Sequence, residues 1–245
     1  MPNGARRRLP LFAYRAAAYN EAVSSLEQGA ELERSYERRF ASRREYRWRL
    51  WTLLTRRVFQ RYLAETGSVL ELGCGWGEFI NQIRAGRKLA MDLNPGAAGR
   101  LGADVEFVHQ DCSQAWPLPP DGLDLVFSSN FFEHLPDKPA LARTLREAYR
   151  CLRRGGRFVC MGPNARVIPG AYWDFWDHYL PLTERSIAEG LELTGFRIAR
   201  AQARFMPYTM ARDRNPPLWM ASIYLSLPPL HHLVGRQFLV VAVKP

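Results

Sequence analysis

Three glycines at alternate positions, Gly73, Gly75 and Gly77, stand in the stretch VLELGCGWGEF. Glycine tolerates positive φ and lets a ligand lie against bare backbone. Apolar residues at 69, 70 and 72 predict a buried strand before the glycines, and a short helix is predicted over 79–83. Strand, glycine turn and helix are typical of a nucleotide-binding turn. Glu71 lies in the strand, and the G-x-G-x-G spacing disfavours the G-x-G-x-x-G turn of NAD oxidoreductases.

Two acids follow at the ends of later predicted strands. Asp92 ends a strand predicted over 88–91, and Asp111 follows one predicted over 105–108. A carboxylate accepts two hydrogen bonds, which suits the vicinal hydroxyls of a ribose. Asp92 therefore indicates a nucleoside-containing ligand, although a surface acid at a strand end is the alternative.

Two histidines are candidate proton acceptors. His134 follows a strand predicted over 123–128 in DGLDLVFSSNFFEHL, and His178 lies in VIPGAYWDFWDHYLPLT. A neutral imidazole, with a pKa of about 6.5, can accept a hydroxyl proton. Packing beside a ligand is the alternative role for His134. The aromatic residues around His178 are Tyr172, Trp173, Trp176 and Tyr179. Their side chains could bind a sugar face or a flat ring, or they could form a small core over the ligand.

The ordered set of Glu71 with its glycine turn, Asp92, Asp111 and the strand end from Ser128 to His134 resembles the class I S-adenosylmethionine (SAM) methyltransferases. Within that family, the type 11, ubiquinone-biosynthesis-like group is the most similar. The resemblance spans about residues 68–200 and the final strand. It implies an α/β fold with a doubly wound, seven-stranded, mostly parallel sheet. It also implies N-terminal helices and an insertion before the last strand.

The resemblance further implies SAM as the cofactor and S-adenosylhomocysteine as its product. Asp92 would bind the ribose and Asp111 the adenine amine. Arg47 or Arg49 could pair with the methionine carboxylate, or be surface arginines without such a role. The expected cofactor-binding residues are Glu71, Gly73, Cys74, Gly75, Gly77, Asp92, Leu93, Asp111, Cys112, Ser129 and Asn130.

Periodicity divides the chain into two parts. Residues 1–63 are predicted as an N-terminal helical cap, and 64–245 as the Rossmann-like methyltransferase domain. Further elements are predicted over 139–152, 157–161, 186–193 and 196–201, and the last strand, 237–243, is expected antiparallel beside the sixth. The apolar, proline-containing segment 206–235 is predicted as a substrate lid, with an interface or a shallow membrane contact as alternatives.

The net charge of +10 is concentrated near the N-terminus, where residues 1–61 contain 14 arginines and six glutamates. Such a segment could attract nucleic acid, anionic lipid or a phosphorylated substrate, or be a solvated helix face. The four cysteines have no CxxC spacing, so we expect reduced thiols, no metal site and a cytoplasmic protein. No signal peptide and no membrane span are expected. Oligomeric state is not predicted.

The resemblance implies methyl transfer, with His134 or His178 as base. The aromatic residues around His178 and the apolar segment 206–235 favour a small-molecule acceptor, most simply a hydroxyl of a sugar, a glycolipid precursor or a natural product. The N-P-P-Y/F motif of amino-nitrogen methyltransferases is missing after the fourth strand, where SSNF stands. A Pro-Cys pair for cytosine-C5 chemistry is also missing. An RNA methyltransferase and a non-catalytic SAM-fold binding protein remain the alternatives.

Overall fold

A computed structural model describes residues 41–208 and 215–245, together with Arg34 and Glu37. Most of the predicted N-terminal cap therefore lies outside the described residues. Its described end forms helix α1, Arg44–Leu54, which continues as a π turn over Thr55–Phe59 and a 3-10 turn over Gln60–Tyr62. The chain then enters the sheet.

Seven strands form one sheet in the order β3-β2-β1-β4-β5-β7-β6. The strand pairs from β3 to β5 are parallel, and β7 runs antiparallel to both β5 and β6. This arrangement confirms the predicted doubly wound sheet and its reversed last strand. The strands are β1 Ser68–Leu72, β2 Arg87–Asp92, β3 Val105–His109, β4 Leu123–Ser129, β5 Leu152–Pro163, β6 Arg197–Gln202 and β7 Gln237–Val243.

Helices α2, Lys138–Cys151, and α3, Glu184–Thr194, cover one face of the sheet. Asp137 caps α2 by accepting a hydrogen bond from the Ala140 amide at 2.7 Å. This is the capping pattern that satisfies free amides of a first helical turn. Thr183 caps α3 in the same way, through the Ser186 amide at 3.1 Å. Both helices agree closely with their predicted bounds.

The short helix predicted over 79–83 is instead a series of hydrogen-bonded turns. Two bonds of helical spacing form, from Asn81 to Gly77 at 3.1 Å and from Ile83 to Phe79 at 3.0 Å. The chain then enters β2 at Arg87, and so short a segment does not gain enough bonds to propagate a helix.

An aromatic cluster joins α1 to the other face of the sheet. Trp51 and Phe59 from the α1 region pack with Phe79 and Phe127, and all four side chains are buried. The Phe79 and Phe127 rings stack with centroids 3.7 Å apart, and those of Phe59 and Phe127 are 4.9 Å apart. The cluster fixes α1 against β4 and against the segment that follows the glycines.

The segment between β6 and β7 carries two helices, α4, Leu218–Ser226, and α5, Pro228–Val234. Helix α4 packs on α1, and the Arg57 guanidinium donates to the Ser222 carbonyl at 3.3 Å. Part of the predicted lid, 209–214, lies outside the described residues, and a lid function stays a prediction. Across the described parts of the chain, we find no helix with the length and apolarity needed to cross a membrane.

All four cysteines, Cys74, Cys112, Cys151 and Cys160, are buried thiols without disulfide partners. Burial raises the pKa of each thiol, to about 12 for Cys112 and about 11 for Cys151. The neutral thiol is therefore the stable form, and these side chains act as small apolar residues.

The aromatic cluster generates a stability prediction. Phe59→Ala should lower the free energy of unfolding by about 3–5 kcal/mol, because it leaves a cavity among fully buried rings. Urea denaturation followed by tryptophan fluorescence measures the change. Leu193→Ala is the control, because Leu193 is 84% exposed on α3, and it should change the free energy by less than about 0.5 kcal/mol. Equal effects of the two changes would contradict the role of the cluster.

Candidate active site

A cavity of about 610 Å³ opens at the carboxyl ends of β1, β2 and β4. Ligands of doubly wound sheets bind at this edge, where the strand order reverses. Most of the site residues predicted from the sequence line this cavity, namely Glu71, Gly73, Cys74, Gly75, Asp92, Leu93, Asp111, Cys112, Ser129, Asn130, His134, Trp176, His178 and Tyr179.

The glycine turn forms the floor of this cavity. Gly73, Gly75 and Gly77 have φ of 64°, 51° and 71°, which is the left-handed region that favours glycine. A Cβ on Gly73 would lie 2.2 Å from the ring of Phe131, so a side chain cannot be accommodated there. Gly77 is not part of the cavity wall, and a Cβ there would approach Asn81 to 2.8 Å. Gly77 thus shapes the turn and does not face the ligand.

Asp92 is held at the cavity wall by backbone amides. Its two carboxylate oxygens accept hydrogen bonds from Gly75 and Asn94, each at 2.9 Å. Burial raises the pKa of Asp92, and these amides oppose that effect. The carboxylate therefore links the glycine turn to the end of β2 in a fixed orientation.

Glu71 also organises the turn. Its carboxylate accepts a hydrogen bond from the Ile80 amide at 3.1 Å. Burial, together with the nearby Glu78 carboxylate, raises the pKa of Glu71 well above its usual range. Glu71 lies at the wall, but its hydrogen bond is to the backbone that follows the glycines.

The loop after β3 forms the next part of the wall. Asp111 accepts a hydrogen bond from the Ser113 amide at 2.8 Å, which fixes the loop. The Cys112 thiol accepts one from Thr144 at 3.4 Å and is buried. Cys112 is thus placed to present its backbone, and its neutral thiol is not a nucleophile.

Asn130 carries a buried polar atom that lacks a partner. Its φ is 49°, and its side-chain amide donates to Ser129 at 3.0 Å. Its Oδ1 atom is buried and accepts no hydrogen bond from the residues that the structure describes. A buried acceptor without a donor costs about 1–3 kcal/mol. A ligand with a donor, such as the ammonium group of SAM, would satisfy it, so the residues present fit this cofactor.

Only one of the two arginines expected near the methionine carboxylate reaches the cavity. Arg47 lines it and donates to Glu78 at 2.7 Å. Arg49 lies outside, paired with Glu45 at 2.8 Å on the surface of α1. The reason is helical geometry, since residues two apart on a helix point to nearly opposite sides. The expectation for Arg49 was therefore wrong.

The two histidines lie side by side in the outer part of the cavity, with ring centroids 5.0 Å apart. His134 Nδ1 is 2.8 Å from the Asp177 carbonyl oxygen and 3.3 Å from the Asp177 carboxylate. His178 Nδ1 is 2.8 Å from the Tyr172 carbonyl oxygen. A ring nitrogen that faces a carbonyl must donate, so each neutral ring keeps its acceptor at Nε2. Asp177, which neighbours His178 in the sequence, thus orients the other histidine, His134.

The aromatic loop is divided between the cavity and a small core. Trp176 and Tyr179 line the cavity. Tyr172 is wholly buried, and its hydroxyl donates to the Leu180 carbonyl. Tyr172 packs with Ile168 and with Tyr208 of the segment before β7, which is the alternative of a small aromatic core. Trp173 is 58% exposed and lies off the cavity wall. The structure therefore does not bring Tyr172 and Trp173 to an acceptor.

Glu133 is a site residue that sequence reasoning missed, although it stands beside His134 in the quoted EHL motif. It is only 3% exposed, and burial raises its pKa to about 6 against the opposing effect of His134. Ligand atoms of Glu133, His134 and His178 all lie within 4.8 Å of one another. Two imidazoles and a carboxylate are a ligand set that suits several divalent metals. Tyr208 was also missed, because no local sequence pattern shows that the segment between β6 and β7 brings this residue to the cavity wall.

The burial of Glu133 generates a prediction about pH. A carboxyl whose folded-state pKa is raised, here from 4.5 to about 6, destabilises the fold progressively as pH rises through that window. Wild type should therefore lose about 2 kcal/mol relative to Glu133→Gln between about pH 4.5 and pH 7. Urea denaturation at both values measures this. With Leu193→Ala, the exposed and non-ionisable control on α3, the difference from wild type should stay constant. A constant difference for Glu133→Gln would disprove the assignment.

Comparisons with known proteins identify the family of this chain. A sequence model described as a methyltransferase domain matches residues 40–201. The demethylmenaquinone methyltransferase of Symbiobacterium thermophilum is 31% identical over 168 residues, which are 62% of each chain. The malonyl-[acyl-carrier protein] O-methyltransferase of Serratia marcescens is 33% identical over 156 residues, 61% of this chain and 58% of the relative. The matches thus span about three-fifths of these relatives.

Solved structures show the same fold. A Haloferax volcanii methyltransferase, in complex with the Trm112 methyltransferase activator, superposes with a TM-score of 0.62 and 18% identity, covering 90% of this chain and 97% of that one. A SAM-dependent methyltransferase from Archaeoglobus fulgidus gives 0.60 and 20%, covering 81% and 94%. Sheet order, glycine turn and family match together show that the chain belongs to the class I SAM-dependent methyltransferases.

Proposed function

We propose that this chain transfers a methyl group from SAM to a hydroxyl group of a small molecule, such as a sugar, a glycolipid precursor or a natural product. The observation that carries the proposal is the histidine pair in the outer cavity, each ring held through Nδ1 by a carbonyl oxygen. The names of the sequence relatives point to demethylmenaquinone and malonyl-[acyl-carrier protein] as their acceptors. Neither is a nucleic acid, which favours a small molecule here.

The inner cavity would hold the cofactor. When bound, SAM supplies a methyl group made electrophilic by its sulfonium centre. Asp92 would bind the ribose, Asp111 and the backbone of Cys112 the adenine, and Asn130 the ammonium group. The work of these residues is to hold the methyl donor and acceptor in a reactive geometry, which lowers the entropic part of the barrier.

His134 would take the hydroxyl proton. Its Nε2 atom accepts the proton, and the resulting imidazolium is stabilised by the Asp177 carboxylate, 3.3 Å from Nδ1. A positioned general base contributes about 10²–10⁴ to a rate. His178, packed against the same ring, would help orient the hydroxyl or share the proton.

Aromatic side chains would bind the body of the acceptor. Phe175, Trp176 and Tyr179 of the aromatic loop and Tyr208 of the predicted lid line the outer cavity. Such rings stack on the apolar face of a sugar or on a flat ring. We retain the proposal that the segment 206–235 closes over the acceptor at its Tyr208 end. We also propose a cytoplasmic location, where unpaired thiols remain reduced.

Cofactor binding provides the first test. Calorimetric titration of wild type with SAM and with S-adenosylhomocysteine should show binding. Asp92→Ala should weaken it by about 10- to 100-fold, because a charge-assisted hydrogen bond contributes about 1.5–3 kcal/mol. Glu192→Ala, an exposed control, should bind like wild type. A folded wild-type protein that binds neither ligand would exclude the proposed function.

Methyl transfer provides the second test. Acceptors of the three classes are screened with labelled SAM, and the best one is used for kinetics. His134→Ala should lower kcat by about 10²–10⁴ while the affinity for SAM stays near that of wild type. Asp177→Asn should have a smaller effect on kcat, since it removes only the charge beside the imidazole. His232→Ala, exposed on α5, is the control. Measurements of kcat with and without EDTA show whether the reaction needs a metal ion bound by Glu133, His134 and His178. An unchanged kcat in His134→Ala would exclude the general-base role.

A further inference from the structure

Helix α4 is apolar on two faces, and the fold uses only one of them. The inner face packs through Tyr224, which is 8% exposed and whose hydroxyl donates to the Phe205 carbonyl. The outer face carries Trp219, Met220 and Ile223, which are 64%, 47% and 48% exposed. These residues fall within about 100° of one another around the helix axis, so they point in one direction.

The chain after α4 exposes further large apolar side chains. Leu227 is 48% exposed at the turn into α5, and Leu233 and Val234 on α5 are 74% and 48% exposed. Scattered exposed leucines are ordinary, but six large apolar side chains exposed within residues 219–234 favour an interaction site. We call Trp219, Met220, Ile223, Leu227, Leu233 and Val234 the outer apolar surface.

Positive charge borders the outer apolar surface. Residues 215–236 contain no aspartate or glutamate, and residues 41–64 contain seven arginines and one glutamate. Arg49 of α1 shares a groove with Trp219. Arg57 donates to the Ser222 carbonyl at 3.3 Å and to the Ser226 hydroxyl at 3.4 Å, both on α4. The one acid, Glu45, is paired with Arg49 at 2.8 Å.

We propose that the outer apolar surface inserts into the interface of an anionic lipid membrane, with Arg49 and Arg57 contacting lipid headgroups. Apolar side chains beside arginines are the combination that binds such a surface, through burial of apolar area and attraction to anionic lipid. Nucleic acid offers no apolar layer for Trp219 or Leu233. A second copy of the chain would bring the arginines of both copies together, which disfavours a twofold contact.

The position of α1 connects this surface to the active site. Arg47 and Trp51 on one side of α1 line the cavity, and Tyr46 and Arg49 on another side line the groove beside Trp219. A membrane bound at α4 therefore lies one helix away from the active-site cavity. In combination with the proposed function, on which this step rests, the acceptor class is a hydroxylated molecule anchored in the membrane, such as a glycolipid precursor.

Vesicle binding tests the proposal with the full chain. Wild type is sedimented with vesicles of phosphatidylcholine alone and with vesicles that also contain phosphatidylglycerol. Binding should require the anionic lipid and weaken with salt. Trp219→Ser and Ile223→Ser should each weaken it by about tenfold, since each removes an exposed apolar side chain that insertion into the membrane would bury. Leu193→Ser, at a more exposed apolar residue on the opposite face of the sheet, should leave it unchanged.

The arginines have their own matched control. Arg49→Gln and Arg57→Gln should each weaken binding by about fivefold, which corresponds to about 1 kcal/mol per arginine near a charged membrane. Arg146→Gln, exposed on α2, should have no effect.

Four outcomes would overturn the proposal. The proposal is excluded if wild type does not bind anionic vesicles. It is also excluded if Leu193→Ser weakens binding as much as Trp219→Ser and Ile223→Ser do. Dimers that dissociate in Trp219→Ser would instead identify an interface between copies. RNA binding that depends on Arg49 and Arg57 but not on Trp219 would identify a nucleic-acid surface. Calorimetric SAM binding, measured in parallel without lipid, separates failure of this proposal from failure of the proposed function.

Discussion

The close approach of Gly73 to the Phe131 ring is the contact on which the site depends. A Cβ at Gly73 would lie 2.2 Å from that ring, so the end of β1 and the segment after β4 can meet only through a residue without a side chain. Phe131 directly precedes the turn Phe132–His134. The same contact therefore sets the depth of the cofactor cavity and the height of His134 above it. The aromatic cluster around Phe59 supports this arrangement from below, because it packs against Phe79, which follows the glycines.

The proposed base is assembled from two distant segments. His134 comes from the end of β4, whereas Asp177 comes from the loop after β5 and contacts it through both its carbonyl and its carboxylate. The Glu133 carbonyl also accepts hydrogen bonds from the Tyr179 and Leu180 amides, which ties the loop to the same turn. Positioning of the imidazole is therefore coupled to folding of the aromatic loop. Precise placement of this kind needs support from surrounding contacts.

The sequence predicted the sheet and the inner cavity well, because the carboxyl ends of parallel strands lie at one edge of the sheet regardless of the conformation of the loops. Strand patterns and glycine spacing were enough to place Asp92 and Asp111 together. The outer cavity was predicted less well, since the loop from 164 to 183 is irregular and no period shows where its side chains point. Tyr172 was expected at the acceptor but lies in a small core. Asp177 neighbours His178 in the sequence, yet it orients His134. Arg49 was misplaced for a simpler reason, a wrong helix side. The segment 79–83 shows that an apolar pattern does not guarantee a helix when the chain must turn within a few residues.

The burial of the four native thiols makes the chain well suited to site-specific spectroscopy. Neutral, buried thiols react slowly with alkylating reagents, because the thiolate is the nucleophile. A cysteine introduced at an exposed position of α4 would then be the preferred target of a fluorescent or spin label. Collisional quenching of such a label measures its distance from the bilayer centre. Because the native thiols stay unlabelled, the depth of α4 in a membrane could be measured without first removing them.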